Sequence, residues 1–289
     1  MSDASALKTP VLVLGATSLI GRYAVPRLRA MGAEAFALSR TASDAPGWVR
    51  ANLTEPGLAA MLPDCPTVLS LSPIWRLAPA LGSLKAKGMH RLVAFSSTSV
   101  FTKAASPDAH EQGVVRRLAD GEEAVRAFCA FNDVAWTILR PTLIYAEGQD
   151  QNVSRLARLI GKLGCLPLAG SGQGLRQPVH ADDLAAGAIA AAASPAAENK
   201  AYDLPGGETL AYRAMAERVF EGLGRRPRVL PLPEGLWRLG FALARPFLPG
   251  TTAQMGARMS ENLTFDGSAA AADFAWNPRP FRPEFKRPS

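Results

Sequence analysis

Residues Pro10 to Gly21, PVLVLGATSLIG, join an unbroken apolar run to a turn punctuated by glycine. Val11 to Leu14 read as a central parallel strand, because a run with no polar alternation has no solvent face. Gly15 permits a tight turn, and Gly21 lets the following helix, about Ile20 to Met31, lie close to the strand. Such a helix start aims unpaired N–H groups and a positive dipole end outward, which makes a cradle for the pyrophosphate of a dinucleotide. The glycine spacing gains its meaning from its place between a strand and a helix. Ser18 stands where the usual pattern carries a middle glycine. Its side chain narrows the approach, while its hydroxyl is able to donate to a phosphate oxygen.

The second strand, Ala33 to Leu38, ends at Ser39 and Arg40. In a dinucleotide fold this strand end meets the adenosine ribose. A carboxylate there binds the 2′-hydroxyl and repels a 2′-phosphate; an arginine does the reverse. Ser39 and Arg40 therefore point to NADP(H) over NAD(H). Asn52 and Leu53 are expected to close the third strand where adenine is contacted.

Strand and helix signals then alternate, which predicts right-handed βαβ crossovers and an α/β fold with a doubly wound parallel sheet. Thr67–Leu71, Arg91–Ser96 and Val134–Arg140 read as strands four to six, with a long helix over Asp108–Phe131. Beyond Pro141, helices near Val153–Leu163, Asp182–Ala193 and Leu210–Leu223 are parted by short strands and Gly/Pro loops. The expected division is a cofactor domain over 1–145 with parts of 175–205, and a smaller C-terminal α/β substrate or partner domain over 146–289.

Composition excludes several classes. A hydrophobic share of 48% with 20% charged residues suits a packed protein. The first nine residues lack the apolar core of a signal peptide, and no apolar run is long enough to span a bilayer, so a cytoplasmic location is expected. Cys65, Cys129 and Cys165 are far apart and the histidines His90, His110 and His180 are scattered, so neither disulfide nor metal site is expected. Residues 1–150 carry 15 basic and 13 acidic side chains against 17 and 12 in residues 151–289. Most of the cations are arginine and no aromatic residues interleave with them, which favours an anionic small molecule over nucleic acid.

Four ordered motifs carry a family resemblance: GATSLIG ending at Gly21, FSSTSVF from Phe95 to Phe101, LRPTLIY from Leu139 to Tyr145, and QPVHADDL from Gln177 to Leu184. Together they resemble an extended or atypical short-chain dehydrogenase/reductase of the NAD-dependent epimerase/dehydratase type, over residues 10 to about 230. The resemblance implies a Rossmann domain and cofactor contacts from Gly15, Thr17, Ser18, Leu19, Ile20, Gly21, Ser39, Arg40, Asn52, Leu53, Leu71, Ser96, Arg140 and Pro141. It implies a substrate pocket walled by Ser72, Thr98, Tyr145, Arg176 and His180. Ser97 matches the catalytic Ser/Thr, bonding a substrate oxygen, and Tyr145 is a candidate acid.

The family also needs a Tyr four residues before a Lys on the helix after strand five, where a lowered phenol pKa moves a proton alongside hydride. The tyrosines here are Tyr23, Tyr145, Tyr202 and Tyr212, and none has that placement. Aligning the family's following Glu on Glu122 or Glu123 puts Val114 or Val115 at the Tyr and Leu118 or Ala119 at the Lys. Three functions follow from the resemblance: a divergent NADP(H) oxidoreductase acting on a carbonyl or hydroxyl; a non-catalytic NADP(H)-binding sensor or accessory subunit; a nucleotide-sugar epimerase or dehydratase. A chain with the non-catalytic role is similar to NmrA-like regulators and to the NADPH-binding accessory subunit of respiratory complex I. His180 is expected to bond structurally, and Asp182 or Asp183 to cap a helix. The segment 225–248, with an amphipathic helix over Glu234–Arg245, is a candidate for contact with a membrane surface or a protein partner.

Overall fold

The computed structural model describes residues 7–41, 45–233, 235 and 259–285. They form two compact units. The first comprises Met1–Thr142, Ala181–Leu204 and Asp266–Asn277, and the second Leu143–His180, Pro205–Phe265 and Pro278–Ser289.

The first unit is built on β1 (Val11–Leu14), β2 (Ala35–Ser39), β3 (Trp48–Arg50), β4 (Thr67–Ser70), β5 (Arg91–Phe95), β6 (Ala135–Pro141) and a seventh strand, Lys200–Leu204, which is β11 in chain order. Their spatial order is β11-β6-β5-β4-β1-β2-β3, and every pair is parallel. The doubly wound sheet read from the sequence is borne out. Strand order reverses between β1 and β4, which opens a crevice at their C-terminal ends. Its helices are α1 (Gly21–Ala30), α2 (Leu58–Met61), α3 (Leu81–Ala86), α4 (Ser99–Thr102), α5 (Ala109–Phe131), with α7 (Ala181–Ala193) and α9 (Ser268–Phe274) arriving later in the chain. Period-two geometry sends Leu12 and Leu14 to the face shared with Val68, Leu92, Leu118 and Val125 of one core. On the sheet's other side α7 packs against α1, β4, β5 and β6.

The second unit holds short paired strands. β7 (Ile144–Tyr145) runs parallel to β10 (Val179–His180), and β8 (Leu166–Ala169) to β13 (Val229–Leu232). β9 (Leu175–Arg176) and β12 (Leu210–Ala211) are antiparallel. α6 (Val153–Leu163) buries Val153, Ala157 and Ile160 at helical spacing against Met215, Val219 and Phe220 of α8 (Tyr212–Gly222). Gly164, at φ +68°, ends α6.

Several details differ from the sequence reading. β3 stops at Arg50, so Asn52 and Leu53 lie in the turn beyond it. α8 starts at Tyr212 because Leu210 and Ala211 are drawn into a strand. Asp182 and Asp183 both lie in the first turn of α7. Asp182 takes a fork of bonds from Arg27 of α1 at 2.6 and 2.8 Å. Segment 266–277, expected in the second domain, belongs to the first unit. Trp276 lies over Gly187 and Phe274 meets Tyr202 edge to face, contacts between residues far apart in the chain. The helix expected over Glu234–Arg245 lies outside the described residues. Among the described residues, no helix is long and apolar enough to cross a membrane.

Candidate functional site

The glycine turn is fixed by contact on both sides. Gly15 has φ +74°, and a Cβ there would stand 2.6 Å from the Ser72 Oγ. A Cβ at Gly21 would stand 2.4 Å from the Gly15 carbonyl oxygen and 2.6 Å from that of Ala16. Neither site admits a side chain. Between the two glycines, the Ser18 N–H donates to the Gly15 carbonyl at 2.9 Å, and the Gly21 N–H donates to the Ser18 Oγ at 3.1 Å. Ser18 therefore caps α1 in place of the open approach a glycine would leave. The amides of Thr17, Leu19 and Ile20 donate to no group among the described residues. Amides left without a partner at a helix start are the donors that an anion requires. Leu71 and Ser72 close its other wall, with the Leu71 N–H bonded to the Leu14 carbonyl at 2.9 Å.

At the far end of the sheet, Arg40, Arg50, Ala51, Asn52, Glu55 and Met61 line an open pocket of about 370 Å³. Arg40 and Asn52 are thus brought together. Ser39 is not a free wall of this pocket: it is buried, and its Oγ accepts from the Thr41 N–H at 3.1 Å. Leu53 is likewise in the core rather than exposed to a ligand. These two pieces, the amide cradle and the arginine pocket, suit the pyrophosphate and adenosine ends of a dinucleotide.

The residues beyond β5 have other partners. Ser96 donates from its Oγ to Glu122 at 2.6 Å, and the Arg140 guanidinium forks onto the same carboxylate at 2.8 and 2.5 Å. Arg126, one turn along α5, adds a third donor at 2.5 Å. Burial alone would raise the Glu122 carboxyl, but bonds from Arg140, Ser96 and Arg126 hold it below the ordinary value. Asp203 lies 3.8 Å from Arg140; burial lifts its carboxyl, Arg140 opposes this and the Glu122 charge adds to it. The side chains of Ser96 and Arg140, read as cofactor contacts, are therefore taken up by this buried cluster. Pro141 is buried and its carbonyl accepts the Thr98 hydroxyl at 3.1 Å, so the Thr98 side chain, read as a pocket wall, is buried and its proton is taken up within the unit. Ser97 is half-buried, and its Oγ accepts from the Ser99 N–H at 3.1 Å, which leaves its own proton to donate.

In the second unit, Tyr145 is 1% exposed and packs edge to face on His180 and Phe281, with centroids 5.0 and 4.9 Å away. That is a core aromatic rather than an accessible acid. His180 reaches the Glu147 carboxylate at 3.2 Å. Burial would raise Glu147, but the His180 bond and charge together with bonds from the backbone at Glu147 and Glu284 hold the carboxyl low. Arg176, read as a substrate contact, is buried and donates to the carbonyls of Leu175 and Glu261, each at 2.7 Å.

At the α5 positions that align with the family's acid–base pair, Leu118 is buried in the hydrophobic core and Val114 packs against it. Val115 is half-buried and Ala119 is exposed. Three residues had no sequence signal of their own, Arg50, Glu55 and Glu147, and Glu122 served in the sequence only as an alignment anchor. Only the strand register, Ser39 beside Arg50, would have drawn attention to Arg50.

The model of the NAD dependent epimerase/dehydratase family matches residues 76–204. The chain is 26% identical over 262 residues to the mitochondrial NADH dehydrogenase (ubiquinone) 1 alpha subcomplex subunit 9 of Arabidopsis thaliana, covering 81% of this chain. It spans 62% of that relative's length. Among solved structures, MoeE5 in complex with UDP-glucuronic acid and NAD superposes with a TM-score of 0.71 at 20% identity, over 94% of this chain and 95% of that one. The dTDP-glucose 4,6-dehydratase DesIV of Streptomyces venezuelae, with NAD and TYD bound, gives 0.68 at 17% identity over 94% and 93%. At such identities these two show the fold. The resemblance to epimerase/dehydratase-type short-chain dehydrogenases read from the sequence is borne out.

Proposed function

From the premise that the chain carries the Rossmann sheet and the family match of the NAD dependent epimerase/dehydratases, we propose that it holds NADP(H) without rapid turnover, as a sensor or accessory subunit. One observation carries this reading: the α5 positions that align with the family's Tyr and Lys hold Val114 or Val115 and Leu118 or Ala119, all apolar, with Leu118 buried in the core and Val114 packed against it. Apolar side chains move no protons, and Tyr145 and His180 are engaged within their own unit. The cradle of Thr17, Leu19 and Ile20 amides would hold the pyrophosphate, and Arg40 the 2′-phosphate. When bound, the nicotinamide supplies or accepts hydride. The chain's own part is to place it and shield it. The MoeE5 and DesIV structures carry NAD, so the preference for NADP(H) is drawn from the arginine at the end of β2, Arg40, and not from these neighbours. The relative that is a NADH dehydrogenase subunit supports a protein partner for this chain.

A second reading, a slow oxidoreductase acting on a small anionic carbonyl or hydroxyl compound, draws on Ser97, whose hydroxyl proton is available to a substrate oxygen. A nucleotide-sugar epimerase or dehydratase depends most on the absent Tyr and is the least supported. The test is paired. Titrating NADPH and NADH should show tighter NADPH binding, lost in Arg40→Ala by about ten-fold or more. Incubation with aldehydes, ketones, quinones and sugar nucleotides should leave NADPH unconsumed. Turnover abolished by Ser97→Ala would instead establish the second reading, and turnover of a sugar nucleotide at ordinary epimerase rates would sink both.

A further inference from the structure

We infer that Arg50 is a second cation of the 2′-phosphate site and a determinant of the preference for NADP(H) over NAD(H); this rests on the cofactor reading above. The argument begins with the sheet. β2 and β3 are parallel, and Ser39 is the register partner of Arg50, so Arg50 sits beside the residue that precedes Arg40. Both arginines leave the C-terminal edge of the sheet and line the same pocket of about 370 Å³. Both are exposed, and neither pairs with a carboxylate among the described residues. Long guanidinium side chains at a shared pocket can approach one phosphate from two directions, each with a planar fork of donors.

Charge decides whether one arginine suffices. Glu55 lines the same pocket, and its carboxylate is anchored by the Asn52 N–H at 3.0 Å. Arg40 against Glu55 alone would leave the pocket without net charge. Arg40 with Arg50 leaves it positive, as a phosphate dianion requires. A ribose 2′-hydroxyl, by contrast, gains little from a second all-donor group. Arg50 therefore contributes to the phosphate and not to the rest of the dinucleotide, whose pyrophosphate lies at the glycine turn. Glu55 works against it and moderates the affinity.

Binding is measured by titration calorimetry with NADPH, NADH, adenosine 2′,5′-bisphosphate and adenosine 5′-monophosphate, on the full chain and on Arg40→Ala, Arg50→Ala, Arg50→Lys and Glu55→Gln. Arg50→Ala should weaken NADPH and the bisphosphate about ten-fold, the low end for a charged hydrogen bond at an exposed site, and change NADH and the monophosphate less than about two-fold. Arg50→Lys should restore part of the loss, and Glu55→Gln should tighten NADPH. Melting temperature identifies any variant that fails to fold, in which case Arg50→Lys carries the test. If the wild type prefers NADPH and Arg40→Ala removes that preference while Arg50→Ala does not, this inference is overturned and the cofactor reading stands. Equal wild-type affinities for NADPH and NADH overturn both.

Discussion

At the scale of single residues, the Glu122 cluster is the most consequential polar feature of the core. Glu122 is 2% exposed and takes donors from Ser96, Arg126 and Arg140. Removing its charge leaves Arg140 with the more distant Asp203 as its carboxylate partner and the Phe101 ring beneath it. Glu122→Gln should therefore lower stability at neutral pH by about 3 kcal/mol, as for a broken buried ion pair. The pH dependence has a definite sign. The folded carboxyl is held low, so its contribution is present above the ordinary carboxylate value and is lost as pH falls through the lowered one. Asp203, held high chiefly by burial, acts in the opposite sense. Denaturant melts of the wild type should show stability falling below about pH 4, and the variant should show a shallower fall; parallel acid limbs would disprove the assignment. The thiols give a second check. Burial pushes Cys65 up to about 12 and Cys129 to about 11, while Cys165 is half-buried. A thiol reagent at neutral pH should label Cys165 first and reach the other two only on unfolding. Native labelling of Cys65 would contradict its burial.

At the scale of elements, the β1–α1 junction couples fold and ligand. Gly21 opens the helix, and its missing side chain is what allows the Gly15 and Ala16 carbonyls to pass within 2.4 and 2.6 Å of where a Cβ would stand. Gly21→Ala must push the helix start away from the strand. An overpacked contact of this kind costs about 1–3 kcal/mol, and it would displace the turn that carries the amides of Thr17, Leu19 and Ile20. The expected outcome is a folded protein of lower melting temperature whose NADPH and NADH affinities fall together. That distinguishes the turn from Arg40, whose loss affects NADPH alone. A variant that binds both dinucleotides normally would show that the turn is not the cradle.

At the scale of the whole molecule, a ligand that binds only the folded state stabilises it by mass action, by about 2.7 kcal/mol at a hundred-fold excess over its dissociation constant. NADPH should therefore raise the melting temperature more than NADH at equal concentration, with no loss of nicotinamide absorbance during the incubation. An identical shift from both would argue against NADP(H) selectivity. Much of this molecule is legible in the chain alone. The unbroken apolar run Val11–Leu14, the glycines at 15 and 21 and the regular strand–helix alternation specify a parallel sheet, because period, turn chemistry and burial are local properties. The absence of the Tyr-Lys pair is equally legible, as an absence of residue types. Tertiary structure decides what each polar side chain does, since that depends on partners distant in sequence. By sequence Arg140 reads as a cofactor contact, yet Glu122, eighteen residues away in the chain, accepts its Nε–H at 2.8 Å. Arg176 meets a carbonyl at Glu261, Asp273 receives the Tyr202 hydroxyl at 2.5 Å, and Arg50 acquires a place beside Arg40 only through strand register. Local pattern fixes which element forms; only packing brings the remote donors and acceptors into one place.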